Sequence, residues 1–178
     1  LMYTLLELQV PIREGWADAE NGLLFDFMED LGTESDTVAS NIITGYANGV
    51  ITINILEADD VARVSARSAL NERQRTILGH FRHESGHFLW DRLFKRLPLS
   101  SEFKTIFGDP DKDYQKCLNQ YYKDGPQADW SSRFITAYAS SHPLEDFAET
   151  WNHFLLIFDT VETAFAHGSV SYTHLTLP

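Results

Sequence analysis

The sequence predicts an α+β domain, a small antiparallel sheet packed on a mainly helical body. Two patterns carry the prediction. β-Branched runs flank an Asn-Gly pair in the first third of the chain, and from about residue 59 the apolar residues recur at helical spacing. Composition agrees: of 178 residues, 43% are apolar and 13% aromatic, enough for the core of one domain and too much for general disorder.

In chain order, Tyr3 to Ile12 and then Gly22 to Phe27 read as extended segments, followed by runs around Ile42-Ile43-Thr44 and Val50 to Ile55. Asn48-Gly49 between the last two is a hairpin signal, because both residues tolerate the positive φ that a tight two-residue turn requires. From Asp59, the residues Val61, Val64 and Leu70 recur on one helical face. A long helix is then expected from about Glu72 to Phe94, with Ile77, Leu78, Phe81, Phe88, Leu89 and Leu93 inward and Pro98 as its stop. Shorter helices are expected over 101–107 and 111–123, ended by Gly108-Asp109-Pro110 and Gly125-Pro126. A helix or turn around 131–139 precedes Ser140-Ser141-His142-Pro143, a helix start with proline at its first position. The final helix is expected over 143–166, with Leu144, Phe147, Trp151, Phe154, Leu155 and Phe158 as its core stripe.

The chain reads as one domain over residues 1–169. It opens on Leu1 in mid-sequence, as a fragment of a longer product would. Residues 170–178, Val-Ser-Tyr-Thr-His-Leu-Thr-Leu-Pro, resemble translated read-through of a sequencing adapter, so His174 is set aside. The lone Cys117 cannot form an internal disulfide and is expected to be a buried small hydrophobe. No apolar run approaches the ~18 residues of a membrane helix, and a cytoplasmic protein is expected. The net charge is −12. Twelve acidic residues but only one basic one, Arg13, fall within residues 1–60. That balance argues against nucleic acid as a partner. It reads as a solvated acidic surface or, more sharply, as a lobe that draws in cationic peptides.

The chemistry concentrates in His83-Glu84-Ser85-Gly86-His87. Residues four apart share a helix face, so His83 and His87 can present imidazoles to one ion while Glu84 stands beside them as a general base. That is the pattern of zinc-assisted hydrolysis, and one Zn2+ per chain is expected. His80, one turn earlier, is expected to support the site from outside or to lie at the surface. Catalytic zinc normally takes three protein ligands. Glu145 in the final helix is the candidate for the third, with Asp146 an alternative. An acidic residue in a first turn also complements exposed amides, so capping is the rival role for Glu145. Glu149, one turn on, suits a hydrogen bond to the outer nitrogen of a ligand histidine.

These residues, with the run Tyr138-Ala139-Ser140-Ser141-His142-Pro143-Leu144-Glu145-Asp146-Phe147-Ala148-Glu149-Thr150-Trp151, resemble a bacterial family of zinc-binding metallopeptidases. The likeness extends over most of residues 8–166, including Asn48-Gly49-Val50-Ile51-Thr52-Ile53-Asn54. Members of that family usually carry a cysteine-rich zinc ribbon ahead of this domain, and this chain begins after where it would sit, as expected of a fragment. More broadly, HExxH followed by a later glutamate is similar to the gluzincin arrangement. The resemblance implies a zincin-like fold, Glu145 as third ligand, Glu149 in support of a histidine, and Tyr138, seven residues before Glu145, as an oxyanion donor, with a tyrosine that caps the core as the rival role. It also implies that substrate binds in extended form along an exposed edge at Val50 to Ile55, although a strand covered against aggregation is the rival reading of that run. Peptide-bond hydrolysis is the function implied; the rival is a zinc-bound interaction or regulatory domain without turnover.

Overall fold

The computed structural model describes residues 1–29, 44–58, 76–92, 94–96 and 100–169. Ile42, Ile43, Val61, Val64, Leu70, the expected helix start at Glu72, Leu93, Pro98 and the tail from residue 170 lie outside the described residues. The architecture is α+β, as expected from the sequence.

The first segment departs from expectation. Met2–Glu7 forms a short helix, α1, where the alternation suggested extended chain. Tertiary contacts decide it: Leu5 is fully buried, and the Thr4 hydroxyl donates to Asp159 Oδ1 at 2.9 Å, contacts that a helical turn brings to one side. Strand β1 (Leu24–Met28) follows, then β2 (Gly45–Ala47) and β3 (Val50–Asn54). The hairpin forms where Asn48-Gly49 signalled it, with φ of 49° and 90° at the two turn residues and Ala47 opposite Val50.

The sheet is mixed rather than antiparallel throughout. Its order is β1-β3-β2, with β1 parallel to β3 and β2 antiparallel to it. Val50–Asn54 is therefore the central strand, paired with β1 along its length and with β2 over Val50, Ile51 and Thr52, so those three residues offer no free edge to a substrate. Its burial explains the placement: Ile51 and Ile53 are both 0% exposed, and a strand that buries its side chains so completely belongs inside a sheet.

Those two isoleucines pack with Leu23 against Phe88 and Leu89 of α2 (Ile77–Arg92), the core of the domain. Tyr46 fastens β2 to the same helix, its hydroxyl donating to Asp91 Oδ2 at 2.7 Å. Burial and then the Asp91 charge push that phenol up to about 12. After α2 come α3 (Ser100–Ile106), α4 (Tyr114–Asp124), α5 (Trp130–Arg133), a 3₁₀ turn over Tyr138–Ser141 and the long α6 (Pro143–Ala166).

Helix α6 packs closely across α2. A Cβ on Gly86 would stand 2.9 Å from the Ala148 Cα, so only glycine admits this approach. Trp151 Nε1 donates to the buried Ser85 hydroxyl at 3.0 Å across the same crossing. The expected core stripe of α6 holds for Leu155, whereas Phe154 is 46% exposed. In its first turns the inward positions are Glu145, Asp146 and Ala148. On α2, Arg82, His83, Glu84 and Ser85 are likewise buried. The interface of the two helices is thus polar at its centre.

Candidate metal centre

His83 and His87 stand one turn apart on α2 and face the start of α6. Their Nε2 atoms are 3.2 Å apart. His83 Nε2 lies 3.1 Å from Glu145 Oε2, and His87 Nε2 lies 3.3 Å from Glu145 Oε1. One ligand atom from each of the three residues can be chosen so that all lie within 4.8 Å of one another. A tetrahedral ion with bonds of ~2.0–2.1 Å separates its ligand atoms by roughly 3.3 Å, which matches these spacings.

The hydrogen-bonding pattern also suits a cation. His83 Nδ1 donates to Glu149 Oε1 at 2.7 Å, which turns the Nε2 lone pair toward His87 and Glu145. Glu145 is 1% exposed, and its Oε2, misaligned with His83 for a hydrogen bond, has no hydrogen-bond partner. A buried carboxylate oxygen without a donor costs on the order of 1–3 kcal/mol or more, and a bound cation removes that cost. Burial pushes the Glu145 carboxyl up, but the two histidines more than offset it and hold it well below the usual carboxylate range. Burial likewise pulls the His83 imidazole down, and the carboxylates of Glu145, Glu149 and Glu84 reverse this and hold it well above the ordinary histidine value. Glu149 is pushed up by burial and brought below the usual range by His83.

Glu84 is 8% exposed and sits between the histidines in sequence, its charge acting on both His83 and Tyr114. The Tyr138 ring centroid is 6.2 Å from that of His83. Burial, then the nearby Glu145 charge, raise its phenol far above the ordinary value, and its hydroxyl hydrogen-bonds with Tyr122. The phenol is a proton donor at any ordinary pH. His80 is half-buried and Asp146 buried, and neither belongs to the three-residue cluster. Asp146 is raised to about 6 by burial and by Glu149. It lines a cavity of about 920 Å³ that includes Cys117, Lys112 and Lys116 but none of His83, His87 and Glu145. Cys117 is half-buried rather than buried.

Two residues at this site did not stand out in the sequence. Tyr114, at the first turn of α4, donates its hydroxyl to Glu145 Oε1 at 2.5 Å. His142 is the N-cap of α6: its Nδ1 accepts from the Leu144 amide at 3.1 Å and its Nε2 donates to the Lys112 carbonyl at 3.1 Å. It thereby pins the start of α4 to the start of α6, and its ring packs edge-on against Tyr114 with centroids 5.1 Å apart. Both contacts are long-range, and no local spacing announces them. The nearest signal was His142-Pro143 as a helix start.

A family model described as "Putative zinc-binding metallo-peptidase" matches residues 1–176. Uncharacterized proteins of Mycobacterium bovis and of two strains of Mycobacterium tuberculosis are each 41% identical to the chain over 165 residues. Those residues are 92% of this chain and 46% of each relative, so the chain spans about half the length of the curated relatives it matches. No solved structure matches the chain. Among the described residues, no helix is long and apolar enough to cross a membrane.

Proposed function

Since the chain belongs to the family of putative zinc-binding metallo-peptidases, we propose that it hydrolyses peptide bonds, with one zinc held by His83, His87 and Glu145 and with Glu84 as general base. The observation that carries the reading is the convergence of two imidazole Nε2 atoms on a buried carboxylate whose Oε2 lacks a hydrogen-bond donor. When bound, zinc supplies Lewis acidity, lowering the pKa of a water to about 7 and polarising a carbonyl.

The chain's own side chains do the rest. Glu84 takes the proton of the attacking water on its carboxylate and delivers it to the leaving amine nitrogen. Glu149 holds the proton on His83 Nδ1, fixing the tautomer and the ring plane. The Tyr138 phenol, whose ring lies 6.2 Å from that of His83, supplies a donor to the oxygen on which negative charge develops. The substrate is a peptide or protein, and a cytoplasmic setting is part of the same proposal.

The test is Glu84→Gln. This substitution keeps size and polarity but removes the base, so zinc content is expected to stay at one per chain while peptide hydrolysis falls by at least ~100-fold. A zinc-loaded parent that cleaves no peptide in a broad library would instead favour the zinc-binding interaction domain.

A further inference from the structure

Resting on the zinc reading above, we infer that Tyr114 is a positioning residue which decides how Glu145 meets the metal. Its phenol donates to Oε1, which leaves Oε2 as the oxygen of Glu145 without a donor.

The two oxygens of Glu145 stand in different surroundings. Oε1 accepts from the Tyr114 hydroxyl at 2.5 Å, a short bond of the kind formed between a phenol and a charged carboxylate. Oε1 also lies 3.3 Å from His87 Nε2, whereas Oε2 is buried, 3.1 Å from His83 Nε2, and has no hydrogen-bond partner. A carboxylate with one oxygen held by a donor and the other bare is set to bind through a single oxygen. The occupied lone pair resists the rotation that would bring both oxygens onto the ion.

Tyr114 reaches that position from another element. Asp113 caps α4 by accepting from the Lys116 amide at 3.0 Å, which sets Tyr114 as the first helical residue. The His142 ring, clamped between the Leu144 amide and the Lys112 carbonyl, then packs against the Tyr114 ring. Helix α4 therefore delivers the hydroxyl to the third ligand without supplying a ligand itself.

The experiment compares the whole chain with Tyr114→Phe, which deletes one oxygen and keeps the ring against His142. Zinc affinity is measured by competition with a chromophoric chelator, the cobalt(II)-loaded forms are compared by visible absorption, and melting in chelator checks the fold. Zinc affinity is expected to fall 10–100-fold, the loss typical of removing an outer partner of a metal ligand. The cobalt bands are expected to shift as Glu145 changes its mode of binding. In the parent itself, the zinc-loaded minus zinc-free infrared difference spectrum should show the wide carboxylate splitting of single-oxygen binding, a readout independent of whether the variant folds. A parent that binds one zinc, with unchanged affinity and cobalt spectrum in Tyr114→Phe, overturns the role of Tyr114 and leaves the zinc reading intact. The narrow splitting of two-oxygen binding in the parent does the same. A folded parent that binds no zinc overturns both.

Discussion

At the scale of single residues, the cluster divides into the proposed ligands His83, His87 and Glu145 and the groups that hold them, Glu149 and Tyr114. His83→Ala or Glu145→Ala removes a direct partner and is expected to abolish stoichiometric zinc. Glu149→Ala leaves the three donors but frees the His83 ring, and a 10–100-fold loss of zinc affinity is expected by chelator competition. The sequence was most readable here, for a local reason. His83, Glu84 and His87 lie within five residues, and helical periodicity alone places them together; Glu145 and Glu149 share one stripe on α6. Tyr114 was not readable, because its contact with Glu145 spans 31 residues of sequence and depends on how α4 docks. Asp146, an alternative ligand by spacing, stands one residue from Glu145 and lines the neighbouring cavity instead.

At the scale of elements, the crossing of α2 and α6 sets the distance between the histidines and Glu145. Gly86→Ala places a methyl 2.9 Å from the Ala148 Cα and 3.3 Å from its Cβ. A backbone atom cannot turn aside, so the helices must separate. A stability loss of about 1–3 kcal/mol is expected in urea unfolding, together with weaker zinc binding. The cap of α6 carries a pH dependence. His142 is buried and its pKa is lowered by burial. It works as the neutral ring, accepting at Nδ1 while donating at Nε2. A depressed folded-state pKa means that its contribution to stability is complete above the ordinary histidine value of about 6.5 and is lost as the pH falls below it. His142→Asn keeps an acceptor at the cap and cannot titrate, so its melting temperature should drop less than the parent's between pH 7 and pH 5. An equal drop in both contradicts this use of His142. The elements themselves were legible where turn and cap chemistry is explicit, at Asn48-Gly49 and His142-Pro143. They were misread where burial is decided by partners. An apolar stripe put Phe154 on the buried face of α6, but the inward face near the site is occupied by the carboxylates of Glu145 and Asp146. Likewise, the parallel pairing of β1 with β3 leaves no local trace, and of the edge weighed over Val50 to Ile55 the residues Val50, Ile51 and Thr52 are covered on both sides.

At the scale of the whole molecule, one buried ion pair ties the first helix to the two that carry the site. Arg82, 6% exposed, pairs with Asp159 of α6, which also accepts from Thr4 of α1. Asp159→Ala strands a buried guanidinium and should cost on the order of 3 kcal/mol in urea unfolding, whereas Thr4→Val removes a single neutral donor and should cost about 1 kcal/mol. Because Arg82 adjoins His83, the same network holds the metal helix in place. The α+β class was legible from composition and from the change of period along the chain. The central, buried place of β3 was not, since it follows from packing against α2 rather than from any run of residues.

The central claim is that His83, His87 and Glu145 hold one zinc. Elemental analysis of the purified, folded chain beside His83→Ala and Glu145→Ala tests it most directly. One zinc per chain in the parent, lost in both variants, is the predicted result. A folded parent that contains no zinc after equilibration with the metal, or variants that keep the parent's stoichiometry and affinity, would contradict it.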